Sequence, residues 1–475
     1  MKPVSGKPIG VRRAIAMAAI LVMTFLVFAP TLRYGLVYDD FEQIVTNPRL
    51  TAWSYVPGYF TTHLWAHSPL QAANYYRPIF LLWLRMVDQI FGAPGPIWHL
   101  ASILAHCGAV ACVWLLLNRL TGNFNAAAMA AALFAVHPVQ TEAVAWVSAV
   151  SEPLLTIFVV LSVYFHVTRK SPISYAALLF ALLAMFTKEL GIVAPALIFA
   201  YELTARDGTR SNFKTAIANS AYSALAAVLY VACRMNALGH LATGVAPNMT
   251  IGEMVLTWPR VIAMYGRHLV WPVHLSVAYD VALGTAIWPV VLLAAVCAGL
   301  IWMARRGSAN VRLGVAWFVI TLAPGLSLRY LFKGDYVHDR YLYLPAVGLA
   351  LIVAALISKI ELTPARAAAG LGLALVCCWG VRANLPIWRS DIALFQRAVE
   401  MAPENPYAKN NLADAYLKTH REAEAFPLLE QVIEMCPDCR LGYYNMGRYY
   451  QQVGNAEQAD QYFSISDQMY YSGRR

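Results

Sequence analysis

Two adjacent carboxylates, Asp39 and Asp40, follow the first apolar segment of the chain. Tyr38 precedes them, and a polar and aromatic stretch then runs to Tyr76 and Arg77. A carboxylate can take the proton of an attacking hydroxyl, while a cation stabilises a leaving phosphate, which arginine binds through paired hydrogen bonds. These residue types fit transfer of a group from a phosphate-linked donor, with either aspartate as base. The alternatives are that the acids only cap a helix end and that Arg77 is an interfacial anchor.

Two more basic residues occur beside acids between apolar runs. Lys188 is followed by Glu189, and Arg340 follows His338 and Asp339. Ionisable residues in a membrane region are functional hypotheses by default. We therefore expect Lys188 and Arg340 to help bind the same phosphate. Lys188 and Glu189 could instead simply neutralise each other.

A third set of polar residues interrupts the apolar runs at His137, Glu142 and Glu152. Together these side chains could form a pocket rim or hold a metal ion. No HxxH or HExxH spacing supports a tight metal site, so a divalent metal stays open and no other cofactor is expected. The complete predicted rim comprises Tyr38, Tyr76, His137, Glu142, Glu152, Glu189, His338 and Asp339.

The composition indicates an integral membrane protein. Of the 475 residues, 59% are hydrophobic and 13% are charged, whereas soluble domains are about a quarter charged. The formal net charge of +10 fits an excess of Lys and Arg on the cytoplasmic side. Nucleic acid is not an expected partner, because no basic run is interleaved with aromatic residues.

Apolar runs predict about eleven membrane spans. Residues 77–91 and 255–273 carry internal charges and are expected to lie flat at the interface. Spanning by both would turn the basic loops between them outward, against the positive-inside rule. Lys2 and Lys7 then belong to a cytoplasmic N-terminus, and the acidic, His and Tyr residues gather on the outer face. The predicted spans are residues 13–31, 97–117, 125–136, 153–167, 173–186, 191–203, 215–233, 285–304, 313–326, 341–358 and 365–383.

The last part of the chain contains a repeat. The segment beginning at Asn411 resembles the segment beginning at Asn445, and the offset of about 34 residues is typical of tetratricopeptide repeats. We predict a membrane domain at 1–384 and an outer repeat domain of about five helices at 385–475, leaning on the membrane part. Cys436 and Cys439 within it could be a short-loop disulfide or free thiols.

The motifs and their order resemble the transmembrane-and-tetratricopeptide-repeat O-mannosyltransferases of the GT-C superfamily. The resemblance rests on Tyr38-Asp39-Asp40, Tyr76-Arg77-Pro78, the segments beginning at His137 and Lys188, and Asp339-Arg340-Tyr341, followed by the repeats. It implies an all-α GT-C membrane bundle with a C-terminal α-solenoid and an active site on the extracytoplasmic face.

The same resemblance implies a function. The expected reaction moves a monosaccharide, mannose being one candidate, from polyprenyl phosphate to a protein hydroxyl or a glycan. The base would be Asp39 or Asp40, with a slight preference for Asp40, and Arg77 before Pro78 would meet the lipid phosphate. Lys188 and Arg340, expected above from their residue types, would assist Arg77, and the repeats would bind the acceptor. The small size and basic loops favour a bacterial inner-membrane enzyme with periplasmic repeats. The alternative is a non-enzymatic membrane-anchored scaffold for envelope assembly.

Overall fold

The computed structural model describes residues 10–68, 74–92, 95–204, 212–240, 248–284, 286–331, 334–361 and 363–472. The described residues contain helices and turns but no β-strand, which confirms the all-α prediction. Lys2 and Lys7 of the predicted cytoplasmic N-terminus lie outside the described residues. Within those ranges the membrane part contains helices α1 (Val11–Phe28), α2 (Val56–Tyr59), α3 (Pro78–Phe91), α4 (Gly95–Thr121), α5 (Phe124–Val136), α6 (Thr141–Ala145), α7 (Ser151–Val167), α8 (Tyr175–Thr187), α9 (Ala194–Thr204), α10 (Phe213–Ser220), α11 (Ala224–Leu238), α12 (Ile251–Val270), α13 (Ile287–Arg306), α14 (Ala309–Leu322), α15 (Tyr343–Ile357) and α16 (Pro364–Asn384).

In the described part of the chain, eight helical segments are long and apolar enough to cross a membrane, and helices α5 and α8 are shorter apolar helices. All ten coincide with predicted spans. The remaining prediction, at residues 191–203, forms a 3₁₀ turn and the short helix α9. The eight long segments are Arg13–Arg33, Gly95–Thr121, Val147–Val167, Phe213–Leu238, Ile287–Arg306, Ala309–Tyr330, Asp339–Ile357 and Pro364–Arg389.

The two segments expected to lie flat form helices α3 and α12, and neither is among the eight candidate spans. Helix α3 is too short to cross a bilayer, since 14 residues rise only about 21 Å. Helix α12 begins with a capping box between Thr250 and Glu253, which satisfies its first backbone donors.

Helix α4 lies in the middle of the bundle and packs against α1, α5 and α7. Helices α14 and α15 cross at close range: a Cβ atom on Gly314 would lie 2.7 Å from the backbone oxygen of Gly348. Only glycine allows this approach, as is common where membrane helices cross. The crossing fixes the position of α15, which begins just after the predicted site residue Arg340.

The tail begins at α17 (Asp391–Met401) and continues with α18 (Pro406–Lys418), α19 (Glu422–Met435), α20 (Arg440–Gln452) and α21 (Ala456–Ser472). These five helices match the predicted solenoid. Helices α17 and α18 contact the loop after α1, so the tail leans on the membrane part as expected. Cys436 and Cys439 form a disulfide.

Candidate active site

Asp40 is fully buried and serves as the anchor of the loop after α1. One carboxylate oxygen accepts hydrogen bonds from the backbone N–H of Ser148, at 2.7 Å, and from its hydroxyl, at 2.5 Å. The other accepts from the N–H of Val37 at 3.1 Å. Burial raises the pKa of Asp40 to about 7, against the effect of these hydrogen bonds. Asp40 therefore ties the loop to the segment between α6 and α7.

Asp39 occupies a different environment from its neighbour. Its side chain is only partly buried, and within the described residues its carboxylate has no hydrogen-bond partner. Burial nevertheless raises the pKa of Asp39 to about 7; Arg340 lowers it, and Asp40 raises it further. A solvent-accessible carboxylate that has no hydrogen-bond partner and a pKa near neutral pH suits a general base. The geometry thus favours Asp39 over the slightly preferred Asp40.

Arg77 is held by Glu189 at the start of α3. The Nε and Nη2 atoms of Arg77 both lie 2.9 Å from Oε2 of Glu189. The other oxygen, Oε1, accepts the backbone N–H of Tyr76 at 3.0 Å and lies 3.8 Å from Nη1 of Arg234. The guanidinium also stacks on Tyr75, 4.6 Å from the ring centroid. Glu189 thus lies between two arginines, Arg77 and Arg234, and does not pair with its sequence neighbour Lys188.

Lys188 and Arg340 each pair with a carboxylate from another loop. The ammonium of Lys188 donates to Glu152, and the guanidinium of Arg340 donates to Glu142. The backbone N–H of Arg340 also donates to Glu142, at 3.0 Å. Both glutamates are buried. The alternative that Lys188 and Glu189 form a self-contained pair is therefore wrong.

Aromatic rings connect these charges into one cluster. Lys188 and Arg340 lie 5.7 Å and 5.3 Å from the centroid of Tyr341. Arg340 lies 5.0 Å from the ring of Trp146, which in turn lies 5.2 Å from the ring of Tyr38. The structure therefore brings together residues that are separated by three hundred positions in the chain.

The turn that presents Lys188 and Glu189 requires a glycine. The chain leaves α8 at Lys188 and forms a 3₁₀ turn from Glu189 to Val193. A Cβ atom on Gly191 would lie 2.4 Å from the backbone of Ala184, closer than any side chain allows. This close approach fixes the direction of both ionisable side chains.

Several predicted rim residues are structural. His137 uses both ring nitrogens, one 3.0 Å from the carbonyl of Leu269 and one accepting the N–H of Val139 at 3.3 Å. Tyr76 is buried and donates to the carbonyl of Phe60 at 2.9 Å. These hydrogen bonds leave neither side chain aimed at a pocket.

Asp339 and His338 also have partners inside the protein. Asp339 accepts a hydrogen bond from Tyr279 at 2.6 Å and lies 2.7 Å from Nδ1 of His268 on α12. His338 lies 3.3 Å from Asp335. Asp339 therefore fastens α12 to the turn that carries Arg340.

Two further charged residues, Arg234 and Asp335, lie beside the cluster although no sequence motif marks them. Arg234 lies within the C-terminal half of the apolar helix α11, yet it is buried beside Glu189. Asp335 interacts electrostatically with both Asp39 and Arg340. In the sequence, only its position three residues before His338 could have marked Asp335 as part of the site, and that spacing alone is weak evidence.

The predicted metal ligands do not converge. Glu142 and Glu152 are held by different cations, and His137 is engaged by backbone groups. Within the described ranges, the one group of three or more ligand residues close enough for an ion is Cys436, Asp438 and Cys439 in the tail. Its two sulfurs are joined to each other.

An apolar groove lies apart from the polar cluster, on helix α13. It is lined by Ile287, Trp288, Val291, Leu292 and Ala295, several of which are exposed. Since α13 is a candidate span, these side chains are suited to contact lipid.

Comparison with known proteins agrees with this architecture. A family model described as a tetratricopeptide repeat matches residues 406–439. The chain is 24% identical over 433 residues to protein O-mannosyl-transferase F38B6.6 of Caenorhabditis elegans, covering 86% of this chain and 60% of that protein. The chain is thus similar over most of its length to proteins named protein O-mannosyl-transferases. Human TMTC4 is 24% identical over 81% of this chain and 61% of its own length, and human TMTC1 is 23% identical over 94% and 58%.

This sequence similarity confirms the family resemblance, but the aligned region covers only part of each relative. The chain spans about 60% of the length of these O-mannosyl-transferases. Among solved structures, ArnT from Cupriavidus metallidurans bound to undecaprenyl phosphate covers 96% of this chain and 78% of its own, with a TM-score of 0.43 and 15% identity. The GT-C assignment stays a prediction.

Proposed function

We propose that this protein transfers a monosaccharide, with mannose as the first candidate, from polyprenyl phosphate to a hydroxyl of a protein or glycan. The observation that carries the proposal is the gathering of Asp39 with three cations, Arg77, Lys188 and Arg340, at one end of the helix bundle. The relatives named protein O-mannosyl-transferases support the same class of reaction. We further propose that this end faces the periplasm of a bacterial inner membrane.

Asp39 is the base in this proposal. The acceptor oxygen attacks the anomeric carbon of the donor sugar and passes its proton to the Asp39 carboxylate. The bond between that carbon and the phosphate oxygen breaks, and its electron pair leaves with the lipid phosphate. Attack from the side opposite the phosphate inverts the anomeric centre. Proton removal by a positioned carboxylate contributes typically about 10²–10⁴-fold to rate.

The three cations stabilise the charge that develops on the leaving phosphate. Each is held by a different glutamate, which fixes its position before the donor binds. The pairing still leaves donors for a phosphate, since a guanidinium has five N–H groups and an ammonium three. Arg77 uses Nε and Nη2 on Glu189, and no other carboxylate in the described part of the chain is paired with it. Its Nη1 donors are therefore available for the ligand.

The proposal is tested with purified full-length protein in lipid nanodiscs and tritiated mannosyl undecaprenyl phosphate. Release of labelled sugar to water and to a pool of Ser/Thr peptides is measured. We expect Asp39→Asn to lower release at least about 100-fold, because the amide cannot accept the proton. Glu400→Gln is the matched control, since Glu400 is 67% exposed on α17. No release by the unmodified protein, or full release by Asp39→Asn, would contradict the proposal.

A further inference from the structure

The residue before the proposed base has an unfavourable backbone conformation. Tyr38 has φ 56°, in the left-handed region that residues other than glycine rarely adopt. Such a conformation persists only where surrounding contacts hold it. Because Tyr38 and Asp39 share a peptide unit, whatever holds Tyr38 also sets the direction in which Asp39 leaves the backbone.

The contacts that hold Tyr38 come from the repeat tail. Oδ1 of Asp391, at the first position of α17, accepts the backbone N–H of Tyr38 at 2.7 Å. The hydroxyl of Tyr38 is hydrogen-bonded to the hydroxyl of Tyr407 on α18. The ring of Tyr38 also lies 5.6 Å from the ring of Phe395. Three residues from two tail helices thus enclose one side of Tyr38.

A second loop of the site is held by the same part of the tail. The Nδ2 of Asn405 donates to the carbonyl of Gly334 at 2.7 Å, while its Oδ1 caps α18 by accepting the N–H groups of Tyr407 and Ala408. Gly334 has φ 87° and opens the loop that leads to Arg340. A single asparagine therefore joins the beginning of a repeat helix to the Arg340 loop.

We propose that the first two tail helices, α17 and α18, form a wall of the active site, with Asp391 and Asn405 as positioning residues for the Asp39 and Arg340 loops. The inference rests on the function proposed above. It means that the tail does more than capture an acceptor, because turnover depends on its docked position even when water is the acceptor.

The test exploits what Asp391 contributes to its hydrogen bond. Asp391→Ala removes the acceptor for the N–H of Tyr38, whereas Asp391→Asn keeps an oxygen there. In full-length protein hydrolysing tritiated mannosyl undecaprenyl phosphate, we expect Asp391→Ala to lower kcat about tenfold with little change in the donor KM. Asp391→Asn should restore kcat to within about threefold of the unmodified protein. Melting curves of each variant verify that the tail stays folded.

Asn405 provides an independent check. Asn405→Asp keeps the oxygen that caps α18 and removes the donor to Gly334. We expect it to lower kcat about tenfold, while the negative charge at the N-terminus of α18 offsets part of the stability lost with this hydrogen bond. Glu400→Ala, on the exposed side of α17, should have the activity of the unmodified protein.

The outcomes separate this inference from the reaction itself. An inactive unmodified protein, or an active Asp39→Asn variant, defeats the proposed function. With those two results as expected, three findings would each overturn the positioning role. They are full kcat in Asp391→Ala and Asn405→Asp, an equal loss in Asp391→Ala and Asp391→Asn, or an effect on the donor KM alone.

Discussion

Asp39 and Asp40 are neighbours in the chain but have different surroundings. Asp40 is buried and accepts three hydrogen bonds from Val37 and Ser148, whereas Asp39 is partly exposed with no hydrogen-bond partner in the described ranges. An adjacent acidic pair could be recognised from sequence, but its division into an anchor and a candidate base could not. That division depends on Ser148, which is more than a hundred residues away.

Asp40→Ala tests the anchor role. The substitution leaves the N–H groups of Val37 and Ser148 buried without an acceptor, so we expect a loss of about 2 kcal/mol in unfolding free energy. Ser148→Ala removes only the hydroxyl and should cost about 1 kcal/mol. Thermal unfolding of the full chain in nanodiscs measures both. A stable but inactive Asp40→Ala variant would instead identify Asp40 as the base.

The pH dependence of transfer tests the base role of Asp39. Burial raises the pKa of Asp39 to about 7, and the base is competent only when deprotonated. We therefore expect kcat to rise about tenfold per pH unit below pH 7 and to level off above it. Arg340 lowers the pKa of Asp39, so Arg340→Gln should shift this rise to higher pH in addition to lowering the rate. A rise at the same pH in both proteins would mean that it does not report Asp39.

The elements that position the site are mainly short turns between helices. Lys188 and Glu189 leave α8 through a turn that Gly191 permits, and Arg340 lies in the 3₁₀ turn before α15. Apolar runs predicted the helices on either side of these turns. They could not predict that Glu189 pairs with Arg77 and Lys188 with Glu152, since both ion pairs form between distant segments.

Gly191→Ala tests the turn. Because the added methyl group would lie 2.4 Å from the backbone of α8, the turn must shift and carry Lys188 and Glu189 with it. We expect a loss of about 1–3 kcal/mol in stability and a lower transfer rate. Gly372→Ala on α16 is the control, because its Cβ would have no neighbour within 4 Å. Equal stability and activity in both variants would show that the turn tolerates a side chain.

At the scale of the whole molecule, the loops expected on the outer face meet at one end of the bundle and contact the first two tail helices, α17 and α18. The spans, the tail and its contact with the membrane part could be predicted from apolar runs and the 34-residue offset. Arg234 and Asp335 could not, because a single charge in an apolar helix or a loop carries no information about the residues that pack around it.

Reporter fusions test the proposed orientation. Alkaline phosphatase folds to its active form only outside the cytoplasm, where its disulfides form. In a bacterial host, we expect high activity when it is fused after Ser390 and little when it is fused after Gly307, between α13 and α14. The reverse pattern would place the polar cluster on the cytoplasmic side.

The central claim is that one polar cluster binds the donor phosphate beside a carboxylate base. The most direct measurement is a cryo-electron microscopy structure of the Asp39→Asn variant with mannosyl undecaprenyl phosphate bound. We predict phosphate density within hydrogen-bonding distance of Arg77, Lys188 and Arg340, with the anomeric carbon facing residue 39. Donor density elsewhere, with these three cations bound only to their glutamates, would contradict the account.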